Sequence, residues 1–483
     1  MRWVLTCISL WLYLGAAFAQ PVTLTAIDGE LALTGDLRQF DGRFYQIDTE
    51  FGLVTVAGDR VLCTGEACPG DNQTTGFSLT VDAHLARVLV PALVEAFAAQ
   101  QGLPSIRRLT GLESLIFDLG RADGSRRFPV SIRIAQSAEA FADLAVGEAD
   151  MILTTRQPTR AERAIALDAG QGDLDNPAQE LLIALDALVA VRGWFGPGEA
   201  LTVDDLRTGN IGPRLHVRAG SDDARWVLGE LAGVLDRVPH QTLEDLRASL
   251  RVAPRDLGLV PHSARGNLSP ITLAGSCGLD LVADRAHLRR GETPFLIPAL
   301  AYLPARRLPR DMIPFIAFLG SDLAAQVIAR AGFESPSATP EAGAPLADRV
   351  LAALAQPNAS APTETYREIA LALGDAEILG LGFPLDRDTD RTAQLIYDRS
   401  LETLARALLA SRLRERVLIV AGFGGTDSEA AARKLHTDLL EATGGITGDA
   451  TFELYGFGDA LPVACSGDPW AKRLNARVEV WLR

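Results

Sequence analysis

The chain has 483 residues, a formal net charge of −15 and 48 % hydrophobic residues, which gives length for about three domains and apolar material for a core in each. The acidic balance excludes a nucleic-acid role, because counterion release on a phosphate backbone needs a basic surface. It leaves small anions open as ligands, since their sites use hydroxyls, backbone N–H groups, helix N-termini and one or two arginines.

Met1 to Ala19 carries one arginine, then a continuous apolar stretch, then Ala17-Phe18-Ala19 before Gln20. That pattern predicts a secretory signal peptide (1–19) and an exported protein. Cys7 lies inside the apolar stretch, away from the cleavage point, so no lipoprotein anchor is expected. Residues 20–70 read as a small β domain: Val22–Thr25, Leu31–Thr34, Arg43–Ile47 and Leu53–Val56 alternate, with Asp28-Gly29, Asp41-Gly42 and Gly58-Asp59 as turns. Without Cys7, four cysteines remain, Cys63, Cys68, Cys277 and Cys465, in a compartment that permits disulfides. Cys63 and Cys68 are expected to close a small loop. The other two are then either a long-range bridge between domains or free thiols. A metal site at Cys63 and Cys68 lacks two further ligands nearby.

Pro69 to Thr75 is a loop-rich seam, followed by an amphipathic helix over 81–100, with Leu85, Val88, Leu89, Leu93 and Phe97 at helical spacing. A strand is predicted over Phe128–Ala135, a helix over Ser137–Gly147, and a short buried strand over Met151–Leu153 that opens into Thr154-Thr155-Arg156. Ligands of open α/β sheets sit at the carboxyl ends of strands, so two hydroxyls and a guanidinium there suit an oxyanion. The strand-helix-strand repeat predicts a mostly parallel sheet. Asp186 falls inside the apolar run Leu181–Val191 and must find donors there or become protonated. The arginine-rich segments 284–290 and 305–310 read as solvated faces. Phe315 to Phe333 reads as a closing helix, and Ser335 to Pro345 as a proline- and alanine-rich linker that packs on neither neighbour.

Five stretches in order resemble the periplasmic phosphate-binding proteins of the PstS type. They are Ala149-Asp-Met-Ile-Leu-Thr-Thr-Arg-Gln-Pro158, Ile183 to Val191, Val203-Asp-Asp-Leu-Arg207, Arg218 to Ala224, and Val252 to Val260. The resemblance covers about 74–335 and implies a two-lobed α/β periplasmic-binding-protein fold (type II-like) that captures phosphate or another small anion. By that resemblance the ligand donors are Ser78, Thr80, Thr154, Thr155, Arg156, Arg218 and Ser221. Asp222 and Asp223 stand beside Ser221 where the family carries a glycine and a threonine.

Residues 336–374 are read as a linker region, and 375–483 as a final unit of helix, strand, helix, strand, strand order. Tyr455 to Pro462, followed by Asn475-x-Arg-Val-Glu479, resembles the C-terminal α+β domain of OmpA-family proteins. That resemblance implies peptidoglycan binding, with Asp427 as the contact to an ammonium group, and Leu439 stands where the family has an arginine. Arg433 and Lys434 are the nearby alternatives.

No enzyme mechanism is expected. The six histidines, His84, His216, His240, His262, His287 and His436, are scattered singly, and no serine elbow or phosphate loop is present. No cofactor and no metal is implied. The sequence thus reads as a multi-domain periplasmic protein, with phosphate or another small anion, peptidoglycan and an ABC transporter as the partners the resemblances imply, and cell-wall or outer-membrane association. A structural or interaction protein of the cell envelope, with the fold kept and the ligand lost, is the competing reading. The two are separated by whether Thr154, Thr155, Arg156 and Arg218 converge on one cleft with unpaired donors.

Overall fold

The computed structural model describes the chain except residues 1–20, 27–30, 41–43, 66, 69–75, 121–126, 194–200, 203–213, 219–236, 282, 342–345, 357–360, 388–389, 466 and 469. The expected signal peptide, the Val203–Arg207 helix and Ser221 lie outside the described residues. Among the described residues no single helix is long and apolar enough to cross a membrane.

The first unit is an antiparallel sheet of β1 (Pro21–Ala26), β2 (Ala32–Phe40), β3 (Phe44–Thr49), β4 (Gly52–Ala57) and β5 (Val61–Thr64), in the order β4-β3-β2-β1-β5. Strand alternation sends Val22, Leu24, Tyr45 and Ile47 into its core. Cys63 and Cys68 are bridged, as expected.

The next unit has two lobes. The first is built on β6 (Phe77–Asp82), β7 (Ser105–Leu109), β8 (Ser114–Gly120), β9 (Arg127–Ala135) and β10 (Met151–Thr154), with helices α1 (Ala83–Ala86), α2 (Leu89–Gln100), α3 (Ser137–Val146) and α4 (Arg160–Asp168). Strand β11 (Glu180–Arg192) then crosses to the second lobe, which holds β12 (Leu201–Thr202), β13 (Leu215–Arg218), β14 (Arg237–His240), helix α5 (Leu243–Val252), β15 (Leu257–Pro261), β16 (Ser269–Pro270), β17 (Leu273–Ala274), β18 (Asp280–Leu281) and helix α6 (Arg285–Arg290). Strand β19 (Leu296–Tyr302) brings the chain back, and α7 (Met312–Leu319) and α8 (Asp322–Arg330) close the first lobe. The expected single closing helix is thus two, bent by 72° at Gly320-Ser321.

One half of β11, Glu180–Ala187, pairs with β19 in the first lobe, and the other half, Leu188–Arg192, pairs with β15 in the second. The lobes therefore share one continuous strand path, and the centre of each is parallel: β10-β6-β9 in the first, β14-β13-β15 in the second. The flanks are antiparallel, because β7, β8, β11 and β19 join by hairpins or crossings.

The C-terminal domain comprises β20 (Ser337–Pro340), α9 (Leu346–Leu354), α10 (Thr363–Leu373), β21 (Glu377–Gly380), β22 (Phe383–Pro384), α11 (Arg391–Leu409), β23 (Val417–Phe423), α12 (Ser428–Thr443), β24 (Thr451–Gly456), α13 (Ala471–Asn475) and β25 (Arg477–Leu482). Its sheet runs β20-β21-β25-β23-β24. The reading of 336–374 as a linker is corrected: β20 pairs with β21, and Tyr366, Ile369 and Leu373 are buried against Ile419, Phe423 and Trp481. The apolar residues of that stretch recur at helical spacing, and burying them outweighs the loop-like composition around them.

Candidate ligand site at the strand crossing

Of the residues expected to hold an oxyanion, Ser78, Thr80, Thr154, Thr155 and Arg156 lie on two adjacent strands of the first lobe or the loop that follows, and the polar atoms of Ser78, Thr80, Thr154 and Arg156 are engaged within the protein. The family resemblance would place Ser78 and Thr80 just before the helix that follows. They belong instead to β6, a central strand whose Phe77, Leu79 and Val81 fill the first-lobe core. Ser78 donates its N–H and its hydroxyl to Asp150 Oδ2, at 2.8 and 3.0 Å. Thr80 donates to Asp143 Oδ2 at 2.8 Å.

Thr154 closes its loop by donating to the Arg156 carbonyl at 2.9 Å, and Thr155 is buried beside it. Arg156 forks onto Glu162, with both Nη–Oε distances 2.7 Å, and lies 5.2 Å above the Phe141 ring. Burial pushes the Glu162 carboxyl up, but Arg156 and the Thr159 donors outweigh it and hold it below its ordinary value. Thr159 and Glu162 also form a capping box at the start of α4, so this carboxylate both fixes the helix entry and neutralises the guanidinium. Arg218 ends β13 of the second lobe, opposite His240 in β14. It is partnered there. Thr154, Arg156 and Arg218 therefore do not converge as open donors.

A different set of residues does meet at the crossing. Asp82 ends β6 and caps α1 by accepting from the His84 N–H at 2.8 Å. Ser137, the first residue of α3, donates to the other Asp82 oxygen at 3.4 Å. The His84 ring reaches Asp186 on β11, with Nε2 and Oδ2 2.9 Å apart. From the second lobe, Ser263 donates its hydroxyl to Asp186 Oδ2 at 2.5 Å and its N–H to Oδ1 at 3.1 Å, and Ala187 N–H donates to Oδ1 at 2.8 Å. Asp186 is 1 % exposed, and these donors are what make a carboxylate tolerable at that depth. Gly332 lets the closing segment approach: a Cβ there would stand 3.2 Å from the Ser263 Cα, and its φ of +89° favours glycine.

Strand alternation separates the two groups. On β10, Met151 and Leu153 face the first-lobe core with α2, whereas Ile152 faces the cluster around Phe141 and Tyr302. Arg156 packs on Phe141 and so joins the second face, while His84 stacks near Phe333 in the first core, ring centroids 5.3 Å apart. The sequence singled out Asp186 for its burial. It gave no sign of His84 or Ser263 as partners, which lie 102 and 77 positions away. The reading of the histidines as lone residues is corrected further by His216, whose Nδ1 is 2.7 Å from His240 Nε2 and whose Nε2 is 3.0 Å from Asp256. Among the described residues no group of three His, Cys, Asp or Glu is placed to hold a metal ion.

In the C-terminal domain, Asp427 stands exposed before α12 with no side-chain cap bond. Leu439 is 1 % exposed and packs with Leu404, Leu435 and Val480. The position that would carry the family's arginine therefore points into the core. Arg433 and Lys434 pair with Glu429 and Asp438 on their own helix.

No family model matches the chain, and no curated protein matches it. Similar solved structures include an ABC-type phosphate transport receptor from Vibrio cholerae, 16 % identical, covering 54 % of this chain and 100 % of its own, with a TM-score of 0.39. A putative phosphate ABC transporter substrate-binding protein with bound phosphate from Clostridium perfringens is also 16 % identical, covering 54 % and 99 %, with a TM-score of 0.37. The BenM effector-binding domain with benzoate is 13 % identical, covering 56 % and 98 %, with a TM-score of 0.34.

Proposed function

We propose that this chain is a solute-binding protein of the two-lobed kind, taking a small polar solute where β11 crosses between the lobes. The observation that carries the reading is that Asp82, His84 and Ser137 from the first lobe and Ser263 from the second gather at the carboxyl end of β6 around Asp186. That is where the crevice of an open α/β sheet receives its ligand. Phosphate or a related oxyanion is the finer form of the proposal. Beside two carboxylates such an anion is held only in a protonated form, which donates a hydrogen bond to the Asp82 carboxylate. Calorimetric titration of the full chain with phosphate, sulfate and a panel of organic anions tests this. Binding that strengthens as pH falls supports acid phosphate, and saturable binding lost in Asp186→Asn places the ligand at the crossing.

The second reading, a scaffold of the cell envelope that keeps the fold without a solute, is favoured by one observation. Ser78, Thr80, Thr154 and Arg156 are already engaged inside the first lobe. Absence of heat with every solute in the panel, from a folded protein, leaves that reading. For the C-terminal domain we propose docking against the two-lobed unit, in place of peptidoglycan capture. Buried Leu439 leaves no arginine for a substrate carboxylate there, and wild-type co-sedimentation with purified sacculi through Asp427 would refute this.

A further inference from the structure

The C-terminal domain touches both lobes. On the first lobe the contact is made by α11, whose Arg391, Arg399 and Arg406 are spaced eight and seven residues apart and so share one helix face. Arg391 pairs with Glu180 at 2.6 Å and donates to the Asp175 carbonyl at 3.0 Å. Arg399 donates to the Leu319 carbonyl at 3.2 Å, and Arg406 to the Gly320 carbonyl. These two guanidiniums satisfy the last carbonyls of α7, at the break before α8, where the helix dipole favours a cation. Leu395 and Ile396, between them, bury against Phe141, Leu182 and Tyr302.

On the second lobe the contact is covalent. Cys277, in the turn between β17 and β18, is bridged to Cys465 across 188 positions. Cys277 N–H also donates to Cys465 Sγ at 2.9 Å, and Ser276 N–H to Asp468 at 3.3 Å. Gly275 makes room for this approach, since a Cβ there would lie 2.6 Å from both Cys465 Sγ and Asp468 Oδ2. Trp470 meets Phe295 edge-on at 5.8 Å, and Arg473 donates to the Pro294 carbonyl at 3.2 Å, just before the chain returns along β19.

We propose that the C-terminal domain is an intramolecular brace that holds the two lobes at one angle, with Cys277–Cys465 as its tether on the second lobe and the α11 arginines as its seat on the first. Hinge motion at β11 then requires the domain to release one lobe. A two-lobed unit braced in this way does not close freely on a solute, so opening is a controlled step.

The test uses the full chain without any solute, so it is independent of whether the crossing site binds one. Bio-orthogonal spin labels replace Val146 in the first lobe and Val252 in the second, which are 72 % and 87 % exposed, and dipolar spectroscopy reads the distance between them. In oxidised protein the distribution is expected to be narrow. In Cys277→Ser/Cys465→Ser it is expected to broaden roughly twofold, and Arg391→Met/Arg399→Met/Arg406→Met to broaden it by the other route. Should either variant misfold, the Cys63→Ser/Cys68→Ser protein keeps the tether as its reducible bridge. An added dithiol supplies two electrons and two protons, leaving two thiols and closing into its own cyclic disulfide; exchange of the dithiol for a small-molecule disulfide, which takes back the two electrons and two protons as it is reduced to thiols, must restore the narrow distribution. A distribution unchanged by reduction in folded protein overturns the proposal.

Discussion

Replacing Arg477 by methionine should destabilise the C-terminal domain, and with it the contact to the second lobe, by about 3 kcal/mol, the low end of what breaking a buried ion pair costs. Arg477 is 3 % exposed and lies where β25 meets the second lobe. Its guanidinium donates to Glu479 from Nε and Nη2, at 2.9 and 2.7 Å, and to the Leu461 carbonyl at 2.9 Å, and stands 3.4 Å from Glu292. Methionine keeps most of the apolar stem and removes the charge, together with the guanidinium that lies 4.8 Å over the Phe423 ring. The loss stays at the low end because both orphaned carboxylates keep a partner: Glu479 retains Arg349 at 2.6 Å and the Trp481 indole at 3.1 Å, and Glu292 retains Arg290 at 2.8 Å. Burial pushes both carboxyls up, but Arg290 with Arg477 for Glu292, and Arg349 with Arg477 for Glu479, outweigh it and hold both below the ordinary 4.5. Folded-state values depressed in this way give stability that is present above the ordinary carboxylate range and lost as pH falls through the folded values. Arg477→Met shrinks that depression, so acid unfolding should begin at a higher pH. Urea titration of wild type, Arg477→Met, Glu479→Gln and the double variant gives the coupling directly. A loss under about 1 kcal/mol, the size of an exposed pair, with the acid midpoint unmoved, would refute the reasoning.

Leu439→Arg should unfold the C-terminal domain and leave sacculus binding unimproved, while Leu439→Ala should cost about 2–5 kcal/mol as a core cavity; thermal melts check both. Asp186→Asn should destabilise the crossing by about 1.5–3 kcal/mol, since it removes a charged acceptor of several hydrogen bonds, and an unchanged melting temperature would count against the described geometry. Burial raises the Glu180 carboxyl above its ordinary value despite Tyr302 and Arg391, so its contribution is greatest below the ordinary carboxylate value and lost as pH rises through the folded one. Stability of Glu180→Gln should therefore vary less across that window. Non-reducing mass mapping should recover Cys63 linked to Cys68 and Cys277 linked to Cys465; alkylatable thiols at the second pair would remove the tether.

What local spacing encodes was legible. The alternation at 22–25 and 53–56, the strand at 151–153 and the apolar run 181–191 that became β11 were read within a residue of their final bounds. What distant pairing decides was not. Arg289 and Arg290 read as part of a solvated face, yet they pair with Glu334, Glu341 and Glu292, and Arg290 is 7 % exposed. No local pattern announces carboxylates 45 or 51 positions away. The family resemblance puts Ser78 and Thr80 just before a helix, but Phe77, Leu79 and Val81 give the period of a buried strand. Arg156 was legible as a guanidinium at a strand end. Its pairing with Glu162 was not read from the sequence, because the capping-box spacing of Thr159 and Glu162 marks a helix start and not the partner of a nearby guanidinium.

The arginines of the C-terminal domain support the proposed docking. A domain that captures an anionic wall polymer presents its cations outward. Here Arg391, Arg399, Arg406, Arg412, Arg473 and Arg477 are directed at Glu180, the Leu319 and Gly320 carbonyls, Asp322, the Pro294 carbonyl and Glu292, all on the two-lobed unit. Several of these partners are backbone carbonyls, which persist whatever side chains surround them, and each guanidinium supplies the planar donor set that suits a carbonyl or a carboxylate. The cations that remain on α12, Arg433 and Lys434, are paired along their own helix. Six arginines of this domain thus serve the intramolecular contact, and loss of any one of them should loosen docking.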